Sequence, residues 1–126
     1  MTPTTYATSI LAEEVQGNHD RIKFQTKGST IVRVQKLEFA PGGYTGFHHH
    51  PGVVIVAVQS GSLNLVDSSC AIETYGAGSV FVESDDHNHQ AISPGGATVY
   101  VTYIVPDSAP PVFREEEQVP FCATSL

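Results

Sequence analysis

The chain has few basic residues: six lysines and arginines stand against thirteen aspartates and glutamates, for a formal net charge of −7. So few cations cannot form a basic patch, which excludes nucleic acids and anionic membrane surfaces as partners. No apolar run approaches the roughly 18–20 residues of a membrane-spanning helix. Residues 1–16 lack the basic and apolar regions of a secretory signal, so the default expectation is a cytoplasmic protein.

Cysteine is equally scarce, and Cys70 and Cys122 are the only two. Neither has basic neighbours that would favour a reactive thiolate, which argues against a nucleophilic cysteine. They are either two separate thiols or a disulfide that ties the C-terminal tail to the rest of the domain, and a bonded pair would indicate an exported protein. The sequence also lacks a phosphate-binding glycine loop and a Gly-x-Ser-x-Gly elbow.

What the sequence does contain is a series of short, valine-rich segments separated by glycine and proline. We predict strands over residues 22–25, 31–39, 53–59, 62–67, 72–75, 79–83, 89–92 and 97–105. The run 53–59 is nearly all apolar, which is typical of a strand buried on both faces, and Ser60-Gly61 predicts a hairpin turn after it. A chain of 126 residues forms one domain. Its evenly spaced strands predict an all-β sandwich or closed barrel, with a core over 22–105, a lead-in before it and a tail over 106–126.

Histidines supply the main functional signal. His48 and His50 are two residues apart, so in a strand their side chains point to the same face. His89 arrives from a distant predicted strand and can complete a set of three imidazole ligands. Such a set suits Zn, Fe, Cu or Ni. The sequence therefore predicts one divalent metal held by these three residues.

Three further residues near this set have more than one interpretation. His49 lies between two predicted ligands and should face the opposite side of its strand. His87 is two residues before His89, so it is either a fourth ligand or a group at the rim of the pocket that moves protons. Glu83 interrupts an apolar strand, as a carboxylate acting as acid or base would, but a solvent-facing glutamate fits equally well. The run 114–117, with three glutamates, is either a lid over the mouth of the domain or a solvated charge run, and we favour the second interpretation.

Residues 28–105 resemble the cupins, which are small double-stranded β-helix (jelly-roll) barrels. Their first motif is Gly, five residues, His-x-His, three or four residues, Glu, six residues, Gly, and Gly42, His48, His50 and Gly61 match it. Val54 stands in place of the glutamate. In the second motif Gly78 and His89 match. The proline, the second glycine and the asparagine of that motif are replaced here by Ser84, Asp86 and Ser93. The chain is also similar to a group of small bacterial cupins that carry one cysteine ahead of the second motif and another near the C-terminus, as Cys70 and Cys122 are here. This resemblance favours a disulfide.

The resemblance implies a metal inside the barrel and an apolar wall formed by Val54, Val56, Phe81 and Ile92. It also implies a homodimer formed through sheet edges or through an exchanged N-terminal strand, for which residues 22–25 are a candidate. With Val54 replacing the glutamate, the site is expected to have three histidines, one more positive charge and an additional open coordination position. Cupin dioxygenases of thiols and β-diketones hold iron with three histidines, so iron is favoured, while Zn, Mn, Ni and Cu stay open.

Two classes of function follow from these expectations. One is a metalloenzyme: we favour a non-haem iron dioxygenase of a small organic substrate, with an isomerase or lyase as the alternative if the metal is redox-inert. In it Glu83 or His87 would move protons. The other is a non-catalytic barrel that senses or stores a metal or small ligand, because one fold hosts many functions.

Overall fold

The computed structural model describes residues 1–11, 14–84 and 88–117, and every regular element in these residues is a β-strand. This confirms the predicted all-β fold class. No helix in these ranges is long and apolar enough to cross a membrane. The strands are β1 (Thr2–Leu11), β2 (Gln16–His19), β3 (Ile22–Gln25), β4 (Thr30–Phe39), β5 (Gly43–Tyr44), β6 (His48–His49), β7 (Val53–Asp67), β8 (Ile72–Gly76), β9 (Val80–Ser84), β10 (His89–Ser93), β11 (Ala97–Pro106) and β12 (Glu115–Glu116).

Ten of these strands form one strongly curled antiparallel sheet with two layers. The first layer has the order β1-β4-β11-β7-β9. In the second, β8 and β10 flank the far half of β7, and β5, β6 and β12 follow. The buried core contains residues of both layers and Phe113 of the C-terminal segment, which is residues 107–117. This arrangement is the predicted jelly-roll.

Strand β7 joins the two layers, and it runs without interruption through the predicted hairpin turn, so that prediction is wrong. At Gly61 the backbone has a φ of 73°, and a Cβ there would lie 2.0 Å from the carbonyl oxygen of Gly96. Only glycine fits such a close approach in this conformation. Because the register against β11 also shifts between Thr98 and Val99, the glycine marks a bend from one layer into the other.

The core lies on one face of each layer. Along β11 every second residue is buried, from Ala97 to Val105. On β7, Val54 is buried whereas Val53 is 40% exposed, so the prediction of a strand buried on both faces is wrong. An antiparallel layer needs cover on one face only, and here its other face is also apolar.

The N-terminal part differs from the predicted lead-in. Residues 2–11 form β1, which pairs with β4 along its length, and its side chains are exposed apart from a partly buried Leu11. Threonines favour a strand here, but no apolar alternation signals it. Ile22–Gln25 forms a separate hairpin with Gln16–His19. Cys70 is disulfide-bonded, and Cys122, the other cysteine of the sequence, lies outside the described residues.

Candidate metal centre

The second layer brings the three histidines together. His48 on β6 lies directly opposite His89 on β10 in the antiparallel ladder, so their side chains share one face. His50 follows two residues after His48 and points to that face as well. The ring centroids of His48 and His50, and of His48 and His89, are 4.6 Å apart. All three side chains are buried.

A carboxylate joins the histidines from the first layer. Glu83 on β9 lies directly opposite Val54 on β7, which is the position where the cupin motif has its glutamate. Its Oε2 is 3.1 Å from Nε2 of both His50 and His89. The four ligand atoms lie within 4.8 Å of one another. The motif alone predicts a site without a carboxylate ligand. Only the pairing of β7 with β9 shows that positions 54 and 83 share a face.

Glu83 is about nine-tenths buried, so the alternative of a solvent-facing glutamate is wrong. The exposure of its neighbours on β9 shows which face of the strand Glu83 lies on. Phe81 is also buried, while Val80 and Val82 are 62% and 64% exposed. The strand therefore alternates, and Glu83 falls on its inward face.

Backbone carbonyls orient two of the imidazole rings. Nδ1 of His48 lies 2.8 Å from the carbonyl oxygen of Gly46, and Nδ1 of His50 lies 2.8 Å from that of Phe113. Since a carbonyl oxygen can only accept, the Nδ1 atoms donate, and Nε2 is the ring atom that each residue directs at the cluster. These two Nε2 atoms are only 3.0 Å apart. A cation between these atoms would be bound by both rings through the nitrogen that the backbone leaves free.

The protonation states suit metal ligands. Burial, more than any other cause, lowers the pKa of His48 to about 3, so the ring is neutral at pH 7. Burial alone would raise the pKa of Glu83, but hydrogen bonds and charges from His50 and His89 outweigh it and lower that pKa to about 2. A neutral imidazole and an ionised carboxylate are the forms that bind metals.

The C-terminal segment covers one side of the cluster. Its Phe113 is 2% exposed, and β12 pairs with β6. Carboxylate oxygens of Glu115 and Glu117 lie 3.1 and 2.5 Å from the two ring nitrogens of His49, and His49 faces away from the cluster as predicted. Glu115 and Glu116 are 59% and 73% exposed, as a solvated charge run predicts, while the backbone of the segment is docked on β6 by strand pairing.

A cavity of about 300 Å³ opens onto the cluster. Its wall includes three of the four predicted apolar residues, Val54, Val56 and Phe81, while Ile92 is not among the described residues that line it. Tyr103 also lines it, and burial followed by the nearby Glu83 charge raises its pKa to about 12. Its hydroxyl therefore keeps its proton at neutral pH. His87, the other predicted acid or base, lies outside the described residues.

No family model and no curated protein matches the sequence, but the fold is similar to solved structures. An RmlC-like cupin from Shewanella frigidimarina is 21% identical, with a TM-score of 0.54 over 61% of this chain and 68% of that one. The polyketide cyclase RemF from Streptomyces resistomycificus is 21% identical, with a TM-score of 0.58 over 75% and 68%. A salicylate 1,2-dioxygenase from Pseudaminobacter salicylatoxidans is 14% identical, with a TM-score of 0.52 over 56% and 20%. The chain therefore has the cupin fold, and its second motif histidine joins the first pair and Glu83 in a cluster that could hold a metal ion.

Proposed function

We propose that this protein is a metal-dependent enzyme acting on a small organic molecule, with the metal held by His48, His50, His89 and Glu83. The observation that carries the proposal is the convergence of four ligand atoms, buried and facing one another, at the wall of a 300 Å³ cavity. Three imidazoles and a carboxylate suit a borderline divalent transition metal. An open cavity beside them is what a catalytic site needs and a closed structural site lacks.

The ligand groups would suit several borderline divalent metals, of which we favour iron. The support for iron is the likeness of the fold to a salicylate 1,2-dioxygenase. Iron held by these four residues would supply the O2 chemistry of a dioxygenase.

The surrounding residues have separate tasks in this proposal. The carbonyl groups of Gly46 and Phe113 fix the rings of His48 and His50, so the ligands are preorganised. The apolar wall excludes water from the reacting molecule. Tyr103, with its raised pKa, is suited to donating a hydrogen bond but not to acting as a base. Glu83 becomes a ligand in place of a free acid or base, and His87 stays a candidate for moving protons.

Metal analysis tests the proposal. Protein purified without added metal should contain about one transition metal ion per chain, and His89→Ala should lose it. His49→Ala is the matched control, since that ring lies between two ligands but faces the carboxylates of Glu115 and Glu117. Iron-loaded protein should then consume O2 with an organic substrate. Wild-type protein that takes up no Fe, Zn, Mn, Ni or Cu would refute the proposal, and a tight metal without turnover would favour a sensor or store.

We further propose that the protein is a homodimer that pairs through the outer face of the first layer. Two rows of outward residues cross this layer without a charged side chain. One has Val32, Ile104 and Val53 on β4, β11 and β7, and the other has Val34, Thr102, Ile55 and Val82 on β4, β11, β7 and β9. On a chain with a net charge of −7, an uncharged face is where two copies repel each other least. Sedimentation of wild-type protein should give a dimer and Val82→Lys a monomer, and a monomeric wild type would contradict this.

A further inference from the structure

The cavity beside the cluster is cationic although the protein is acidic. Two of the three arginines of the chain, Arg33 and Arg114, line it. Among the described residues that line it, Glu83 is the only acid, and a bound metal would neutralise that carboxylate. Basic side chains are scarce in this sequence, so their placement at one cavity points to a ligand of negative charge.

Arg114 is held rigidly and has unused hydrogen-bonding capacity. Its Nη2 donates to the carbonyl oxygen of Thr45 and pairs with Glu116, both at 2.8 Å. Its Nε is buried, and within the described parts of the chain nothing accepts a hydrogen bond from it. A buried donor without an acceptor costs free energy. The guanidinium is close to the cluster, since Arg114 lines the same cavity as His48 and His50.

Arg33 is fixed without an acidic partner in the described part of the chain. Its Nε donates to Thr8 Oγ1 and its Nη1 to the carbonyl oxygen of Pro111, both at 3.0 Å. Its guanidinium carbon lies 3.9 Å from the centroid of the Phe113 ring. No carboxylate of the described residues pairs with this side chain, so its charge remains available to a ligand. It lies on the inward face of β4, in the same alternation as the buried Leu37 and Phe39.

We infer that the molecule bound at this site is a small organic carboxylate, whose charged group lies between Arg33 and Arg114. The planar guanidinium matches the two oxygens of a carboxylate. The rest of the molecule would lie against the apolar wall, with its reacting end towards the four ligands. This inference rests on the proposed function for the reaction, but the binding of the carboxylate needs only the two arginines.

The test compares a carboxylate with a neutral molecule of the same shape. Benzoate and benzamide are titrated into the protein as purified, and calorimetry measures both affinities. Benzoate should bind roughly tenfold tighter or more, which is the value of one charge-assisted hydrogen bond. Arg114→Met and Arg33→Met should each remove most of that preference while the metal content stays unchanged. Arg21→Met, in the exposed turn between β2 and β3, is the matched control and should keep it.

The outcomes separate this inference from the proposed function. Equal affinities for benzoate and benzamide in wild-type protein would overturn it without the use of any variant, even if the metal is present. A preference that survives in both arginine variants would also overturn it, because the carboxylate would then be bound by the metal itself. A preference that depends on the arginines, in a protein that also takes up none of the five metals, would support the carboxylate site and refute the metalloenzyme.

Discussion

Exchanging the side chains of positions 54 and 83 would test whether the ligand position belongs to a face of the sheet or to one strand. Val54 and Glu83 are direct partners in the β7–β9 ladder. The Cβ atoms of such a pair lie about 4.5–5.5 Å apart on the same face, and both residues line the cavity. A glutamate at position 54 should therefore reach the cluster from the adjacent strand.

Three variants are compared for the change in metal affinity and in stability. Loss of groups that merely support metal ligands costs about 10- to 100-fold in affinity, so Glu83→Val, which removes a ligand, should cost about 100-fold or more. The double variant Val54→Glu/Glu83→Val should recover most of this loss, to within roughly tenfold of the wild type. Val54→Glu alone puts a second carboxylate into a buried site, and an uncompensated buried charge destabilises by about 3–5 kcal/mol.

Metal affinity is measured by competition with a chelator, and thermal unfolding of the metal-free proteins measures stability. Glu38→Gln is the control for loss of a carboxylate, since the Glu38 side chain is 53% exposed and should not affect the metal. The reasoning about the ladder is refuted if the double variant binds metal no better than Glu83→Val. Wild-type affinity in Glu83→Val would instead show that this glutamate is not a ligand.

Three more predictions concern stability and the C-terminal segment. In metal-free protein the lowered pKa of His48 means that unfolding takes up a proton below pH 6.5, so the free energy of unfolding should fall by about 1.4 kcal/mol per pH unit as the pH drops from 6.5 towards 3. The lowered pKa of Glu83 adds a loss of the same sign between 4.5 and about 2; urea titrations that are flat between pH 6.5 and 4.5 would contradict this. Gly61→Ala should destabilise by several kcal/mol, because its Cβ would meet the Gly96 carbonyl, and an unchanged melting temperature would refute the tight bend. Phe113→Ala removes a buried ring and should lower the free energy of unfolding by about 3–5 kcal/mol in denaturant titrations. Its metal affinity should also fall, because the Phe113 carbonyl orients His50. A fall no larger than that in a distant core variant would contradict this role.

The sequence predicted the all-β fold and the convergence of His48, His50 and His89, because each depends on a local period or on a spacing that a motif preserves. It failed where the answer depends on pairing between distant segments. Residues 2–11 form β1 only because β4 offers a free edge, and nothing in their own pattern marks an inward face. The continuous β7 was mistaken for a hairpin because Gly61 signals a sharp change of direction without showing whether the strand bends or reverses.

The position of the carboxylate illustrates the same limit at the level of chemistry. A sequence motif describes the residues of one strand, whereas metal binding depends on which donor atoms lie close to the metal in space. In an antiparallel layer each inward position has an equivalent neighbour across the ladder, so a ligand can move from one strand to the next while the geometry of the site is kept. Val54 and Glu83 are such a pair. Absence of a ligand from its motif position therefore argues for loss of the ligand only when the residue opposite it in the sheet also lacks a donor.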